Sequence, residues 1–429
     1  MEKKALAIVV GGGPAPGING VISSVAINAI NRGHRVLGVH KGFRNIMKGD
    51  RRNVDELNLA NVSWIHARGG SILGTSRANP TKDPEHLRNV VESLKALGVG
   101  YLVSIGGDDT AHSARIVAEV AGGEIAVGHV PKTIDNDLPL PGFDSTFGYQ
   151  TARAAGTEIV ETLMEDAKTT SRWYLVIAMG RKAGHLALGI GISSGATMTI
   201  IPEEFGPGNV SLSMVVDTIV GSMIKRLAED KPYGVVVLAE GLAEKVTPDS
   251  IPELANAERD PHGHIRYRDL DFGHLIKMAV KARLAHFGAD IAVIDKDVGY
   301  ELRCRPPIPF DREYTRELGF GIADFLLRGG SNAMISRQGD RLVAIPFTDL
   351  IDAKTGKTQV RYVDVHSSVY RVARKYMMHL TEEDLADPNK LDGLVRVTKV
   401  SSDVLKTAFA KVARHASRNL GDSLEFVTS

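Results

Sequence analysis

The feature that most constrains this chain is the alternation of short apolar, β-branched runs with longer stretches of helical periodicity over most of its length. Runs near 5–10, 34–39, 101–105, 125–130, 173–179, 197–201, 233–239 and 290–294 read as strands. Between them, stretches near 17–32, 83–98, 109–121, 145–168, 183–194, 211–229 and 272–287 read as helices. Such alternation leads to mainly parallel sheets flanked by helices, so the expected class is α/β. A chain of 429 residues is too long for one compact core and suits two Rossmann-like lobes, divided near residue 146. The polar segment from Glu244 to Asp271 carries Pro248, Pro252 and Pro261 and reads as a loop or insertion. After Arg312 come another helix, short strands near 332–336 and 341–346, and a basic helical tail from about 367 to 415.

Charge narrows the range of partners. Fifty-two basic and 51 acidic side chains nearly cancel, so no global field attracts nucleic acid or an anionic membrane, and anionic ligands must be held by local clusters. No apolar run reaches the rough minimum of about 18 residues for a membrane span. Met1 to Lys4 leads directly into the strand-like Ala5 to Val10 without the apolar core of a signal peptide, and the single Cys304 has no partner for an internal disulfide. A cytoplasmic location is expected.

Two loops concentrate the chemistry. Ile105-Gly106-Gly107-Asp108-Asp109-Thr110 and Pro131-Lys132-Thr133-Ile134-Asp135-Asn136-Asp137 each follow an apolar run. Both should therefore lie at the carboxyl ends of parallel strands, where open α/β sheets bind ligands. Four carboxylates, one ammonium and a glycine pair suit a metal-bound polyphosphate and removal of a proton from a hydroxyl. Asp108 is the candidate for Mg²⁺; its alternative role is a helix N-cap. Thr133, Asp135 and Asp137 alternate, so an extended segment would present them on one face. A carboxylate there suits the acceptor of a substrate hydroxyl's proton, although an Asx-type turn with solvated acids has the same residues. Gly11-Gly12-Gly13-Pro14-Ala15-Pro16-Gly17 links the first strand to the first helix and can turn backbone N–H groups toward an anion. Dinucleotide folds and plain tight turns use similar residues, and neither a full G-x-G-x-x-G pattern nor a Walker lysine is present. Arg77, after Gly74-Thr75-Ser76, offers a guanidinium to phosphate oxygens.

With these motifs, and with Met179-Gly180-Arg181 and Pro309-Phe310-Asp311-Arg312 following in order, the chain resembles the phosphofructokinases from about residue 5 to about 346, and more closely their pyrophosphate-dependent branch. The resemblance implies two lobes with the active site in the cleft between them. Residues 1–146 with about 303–352 would form the phosphate-donor lobe and 147–302 the sugar-phosphate lobe, while 353–429 would be a helical extension of unassigned role. It implies that Asp135 is the base that activates the 1-hydroxyl of fructose 6-phosphate, with Thr133 and Asp137 beside the reacting groups. Gly13 would offer its N–H to the transferring phosphoryl group, Arg77 would span the phosphates, Gly107 would line the donor site and Asp108 would lie on the Mg²⁺ side. For the sugar phosphate it points to Met179, Gly180, Arg181, Glu240, Tyr300 and Arg303. Arg172 corresponds to an arginine that reaches the neighbouring subunit's site, which implies a homodimer or homotetramer.

ATP-using relatives have glycine in place of both Asp109 and Lys132. A carboxylate placed 4 Å from a nucleotide phosphate repels it by about 4 kcal/mol at an effective dielectric near 20. An added ammonium neutralises a small, highly charged donor that brings no adenosine contacts. The pair is expected to reject ATP and recruit pyrophosphate. Ile294 stands where relatives have a second phosphate-binding arginine, and Cys304-Arg305-Pro306-Pro307 replaces a small turn, so the sugar is less firmly specified than the donor. An ATP-dependent phosphofructokinase, the same transfer to sedoheptulose 7-phosphate, and a non-catalytic sugar-phosphate sensor are the alternatives.

Overall fold

The computed structural model describes residues 3–138, 145–247, 271–350 and 360–420. Pro248, Pro252 and Pro261 of the expected insertion, and the boundary expected at 352 and 353, lie outside the described residues. The described strands are, in chain order, β1 (Ala5–Val10), β2 (Val36–Val39), β3 (Val54–Leu57), β4 (Val99–Gly106), β5 (Ala126–Pro131), β6 (Arg172–Ala178), β7 (Met198–Ile200), β8 (Gly234–Ala239), β9 (Ala292–Val298), β10 (Ala333–Gln338) and β11 (Arg341–Pro346). The chain divides into one unit comprising Met1–Ala155 and Tyr300–Arg361, and a second comprising Gly156–Gly299 and Tyr362–Ser429.

The first unit holds a seven-stranded sheet in the order β11-β10-β5-β4-β1-β2-β3. The five inner strands are parallel, while β3 and β11 close the two edges antiparallel to β2 and β10. β1 is buried along its whole length, as its unbroken apolar sequence requires of a strand covered on both faces. From β1 the chain passes through the helix Ile18–Asn31 to β2 on one side, whereas β4 lies on the other side of β1. The crevice beyond the carboxyl ends of β1 and β4 is thus a topological switch point, where a ligand can enter between loops that diverge.

The second unit holds a fully parallel sheet in the order β7-β8-β6-β9. Its core extends into the carboxyl-terminal segment, which had been expected to form an extension. Leu380, Leu385, Leu391, Leu394, Leu405 and Phe409 are buried in one cluster with Trp173, Met223, Ile276 and Phe287. The helices Pro388–Val397 and Ser402–Leu420 supply apolar stripes that cover the helix Leu212–Ala228. Phe409 stacks on Phe287 with ring centroids 5.0 Å apart. A buried polar tie reinforces this packing: the Tyr370 hydroxyl donates to Glu204 Oε2 at 2.9 Å and Arg374 Nη1 donates to the same oxygen at 3.3 Å. Burial pushes the Glu204 carboxyl up to about 7 against the pull of Arg374. Among the described residues, no helix is long and apolar enough to cross a membrane.

Candidate active site

In the first unit, the turns after β1 and β4 close around one side chain. A Cβ on Gly11 would lie 2.3 Å from Thr110 Oγ1, and a Cβ on Gly106 would lie 2.3 Å from Thr110 Cβ, so only glycine fits beside Thr110 at both places. Gly11 N–H donates to Ile105 O at 2.8 Å and Gly12 N–H to Ser76 O at 2.9 Å, which sets the Gly11–Gly13 loop against the segment that carries Arg77. Gly12 has φ +79°, a left-handed conformation that glycine adopts without a Cβ penalty. The helix Asp108–Ala121 opens directly from β4, and its N-cap is Gly107 with no side-chain capping bond. Asp108 is therefore not the cap; Asp108 and Asp109 both lie in the first turn, where the helix dipole favours negative charge. Asp109 is exposed and Asp108 partly so. A helix start that would otherwise attract phosphate thus carries two acids of its own.

Lys132 continues β5 into this region. Its N–H donates to Gly106 O at 2.8 Å, and its ammonium donates to Gly13 O. The side chain is almost wholly buried, at 5% exposure. Burial draws the Lys132 pKa from 10.5 down to about 8; Asp135 and Asp108 work against the drop, while the positive charges of Arg303 and Arg77 add to it. The ammonium therefore senses residues from four separate segments. Arg303 lies on the turn Tyr300–Arg303, with its guanidinium 5.0 Å from the centre of the Tyr300 ring. Its guanidinium carbon also lies 3.5 Å from where a Cβ on Gly13 would stand. Expected among the sugar-phosphate residues, Tyr300 and Arg303 belong to the first unit, and Arg303 faces the glycine loop.

The segment from Thr133 to Asp137 is not extended. Thr133 Oγ1 accepts the Asp135 N–H at 3.0 Å, and Asn136 takes a left-handed φ of +57°. Thr146 closes the turn, donating its N–H to Asn136 Oδ1 at 3.0 Å and its hydroxyl to Thr133 O at 2.8 Å. Strict alternation of Thr133, Asp135 and Asp137 on one face is lost because local hydroxyl and amide bonds outcompete the strand. Asp135 is mostly buried, while Thr133 and Asp137 are partly exposed.

In the second unit, β6 ends at the turn Met179-Gly180-Arg181. Met179 N–H donates to Val298 O at 3.0 Å, and its side chain packs where a Cβ on Gly299 would lie only 2.8 Å from Cε. Glu240 follows β8 and accepts the N–H groups of both Gly180 and Arg181 on Oε2, each at 3.2 Å. One oxygen of Glu240 thus holds the turn in shape, in which Arg181 is exposed and has a left-handed φ of +51°. Glu240 also adds to the negative surroundings of Asp297, whose carboxyl is raised by burial first and then by Asp271, Asp295 and Glu240. Arg172 begins β6 at its opposite end, roughly 20 Å from Met179 at the usual rise per strand residue, and is not brought to this turn. Instead its Nε lies 3.9 Å from Asp166.

Among the described residues, the group of three side chains that can reach one metal ion is Asp271, His274 and Asp295 in the second unit, where Lys277 already donates to Asp295 at 2.5 Å. Asp108 is not in such a group. Mg²⁺ needs only one or two protein carboxylates and fills its shell with water and phosphate oxygens, so the partly exposed carboxylate of Asp108 is of the type that such an ion takes.

Three further residues shape the site. His129 Nε2 donates to Gly106 O at 3.1 Å while Nδ1 lies 2.8 Å from Ser104 Oγ, and burial holds it neutral with a pKa near 3. A lone polar residue inside the apolar run of β5 was its signal in the sequence. Asp311, fully buried, accepts the N–H groups of Gly148 at 2.9 Å and Thr151 at 2.8 Å, fixing the start of the helix Tyr149–Thr170. Arg361 donates its N–H to Asp137 O at 2.7 Å and Nε to Asn136 O at 3.1 Å, and nothing in the sequence pointed to it.

The model of the phosphofructokinase family matches residues 5–326. The chain is 51% identical over 391 residues to a pyrophosphate--fructose 6-phosphate 1-phosphotransferase of Thermotoga maritima, covering 90% of this chain and 93% of that one. It is 50% identical over 405 residues to a protein of the same name from Naegleria fowleri, covering 92% and 93%. Among solved structures, it is similar in fold to a pyrophosphate-dependent phosphofructokinase of Nitrosospira multiformis, with a TM-score of 0.67 at 18% identity over 88% of this chain and 91% of the other.

Proposed function

The chain belongs to the phosphofructokinase family, and on that premise we propose that it transfers a phosphoryl group reversibly between pyrophosphate and the 1-hydroxyl of fructose 6-phosphate. The observation that carries the choice of donor is Lys132: a buried ammonium bonded to Gly13 O, among Arg77, Arg303, Asp108 and Asp135, with the exposed acid Asp109 at the adjoining helix start. A bare diphosphate gains from this desolvated cation, whereas a nucleotide would bring its α-phosphate toward the acid.

In this reading Asp135 accepts the proton of the 1-hydroxyl, and the oxygen forms a new bond to the distal phosphorus as the bridging P–O bond breaks and inorganic phosphate leaves. Thr133 holds Asp135 through its N–H, and Asp137 borders the reacting groups. Lys132, Arg77 and the Gly13 N–H balance charge on the moving phosphoryl group. Gly107 leaves room for backbone to approach the donor. Asp108 would hold Mg²⁺, which when bound neutralises the diphosphate oxygens. In the second unit, Met179, Gly180 and Arg181 are the residues proposed for the sugar phosphate, with Glu240 accepting sugar hydroxyls on the oxygen that does not hold the turn; in the first unit, Tyr300 and Arg303 are proposed for the same ligand. The working enzyme is a cytoplasmic homodimer or homotetramer in which Arg172 serves a neighbouring subunit.

The test is to supply pyrophosphate and fructose 6-phosphate and follow the bisphosphate product, then to run the reaction backward from bisphosphate and phosphate. Turnover in both directions is expected, and the same assay on sedoheptulose 7-phosphate compares catalytic efficiency on the two sugars. Sugar-phosphate binding without turnover by any donor would refute the proposal.

A further inference from the structure

Arg361 lies beyond residue 326, where the family match ends, in a segment that shows no strand or helix. Within the first unit it bonds the turn that carries Asp135 at three points. Its backbone N–H donates to Asp137 O at 2.7 Å, its Nε donates to Asn136 O at 3.1 Å, and its Nη2 donates to Asn136 Oδ1. Asn136 is a left-handed residue between two acids, a conformation that costs an L-residue about 1 kcal/mol and persists only where its surroundings hold it. Thr146 supplies one such restraint on Asn136, and the guanidinium supplies two. Planarity matters here, because a fork of fixed geometry can engage a carbonyl and a side-chain oxygen of the same residue together, which an ammonium cannot reproduce. Burial lowers the Arg361 pKa, and Tyr149, Asp137 and Tyr314 oppose the drop.

We infer that Arg361 is a positioning residue for the transfer: it fixes the Asn136 turn, and through it the direction in which the Asp135 carboxylate faces the substrate hydroxyl. This role rests on the phosphotransferase reading above. It requires no contact of Arg361 with substrate. A guanidinium that only aims the base should affect the chemical step far more than substrate binding.

The test compares the full-length wild-type protein with Arg361→Ala and Arg361→Lys, using pyrophosphate and fructose 6-phosphate, each with and without millimolar guanidinium chloride. For Arg361→Ala, kcat should fall about 100-fold while the KM for fructose 6-phosphate stays within about threefold. Added guanidinium should restore part of the lost kcat, and Arg361→Lys should be nearly as slow as Arg361→Ala because it lacks the fork. Arg361→Ala with kcat within about threefold of wild type overturns the inference. So does a loss that guanidinium does not relieve and that comes with weaker sugar-phosphate binding and a lower melting temperature, which marks a merely structural role. Wild-type protein without turnover would instead refute the phosphotransferase reading, and this role with it.

Discussion

At the scale of single residues, Lys132 ties the proposed choice of donor to stability. Its pKa in the folded protein, about 8, lies below the ordinary 10.5, so between those values the unfolded chain holds more protons than the folded one. Stability supplied by this residue therefore rises as pH increases through that window, and below it the buried charge costs about 3 kcal/mol before any ligand is bound. Lys132→Met should accordingly melt higher than wild type at neutral pH, by about 1–2 kcal/mol once the lost bond to Gly13 O is counted, while losing at least about 100-fold in kcat/KM for pyrophosphate. A lower melting temperature would show that the ammonium is already compensated in the free protein. The same shift predicts that kcat/KM for pyrophosphate declines above about pH 8 as the free enzyme loses this proton, and that Lys132→Arg lacks the decline. Asp135→Asn is expected to reduce kcat by several orders of magnitude with little change in KM for the sugar phosphate, and near-normal turnover would remove Asp135 from the role of base.

Among the elements, agreement between pattern and structure follows how local the determining forces are. The helix Asp108–Ala121 was legible because one apolar stripe meets one sheet face, and Leu212–Ala228 because its long apolar run is buried against helices on more than one side. The edge strand β3 was not, since Val-Asp-Glu-Leu is short and half exposed and gains its strand form only by pairing with β2. The turn at Thr133 to Asp137 misled for a related reason: its shape comes from Thr146, ten residues on, and from Arg361, 225 residues on from Asn136. No periodicity encodes bonds of that range. The carboxyl-terminal helices were visible as helices, but amphipathic stripes do not say which core they complete. Their place in the second unit predicts that Phe409→Ala will destabilise it by about 3–5 kcal/mol, read as an earlier melting transition, since the ring is fully buried against Phe287. An unchanged transition would mean that these helices are dispensable to the unit.

For the whole molecule, near-neutral net charge places the burden of anion recognition on local arrangement, and the proposed site lies at the switch point of the first sheet. The glycine loop, the two-acid helix start and the extension of β5 bring their groups to Lys132 because parallel strands all end on that side. That both acidic motifs follow strands was readable in the sequence, whereas the position of Arg303 beside Gly13 required the fold. The most direct measurement is kcat/KM with pyrophosphate or ATP as sole donor, for wild type and for the double variant Asp109→Gly, Lys132→Gly. Wild type should use pyrophosphate and turn over ATP poorly or not at all, while the variant loses at least about 100-fold with pyrophosphate and gains with ATP. Wild-type protein that uses ATP as efficiently as pyrophosphate, or a variant whose donor preference does not move, would contradict the account.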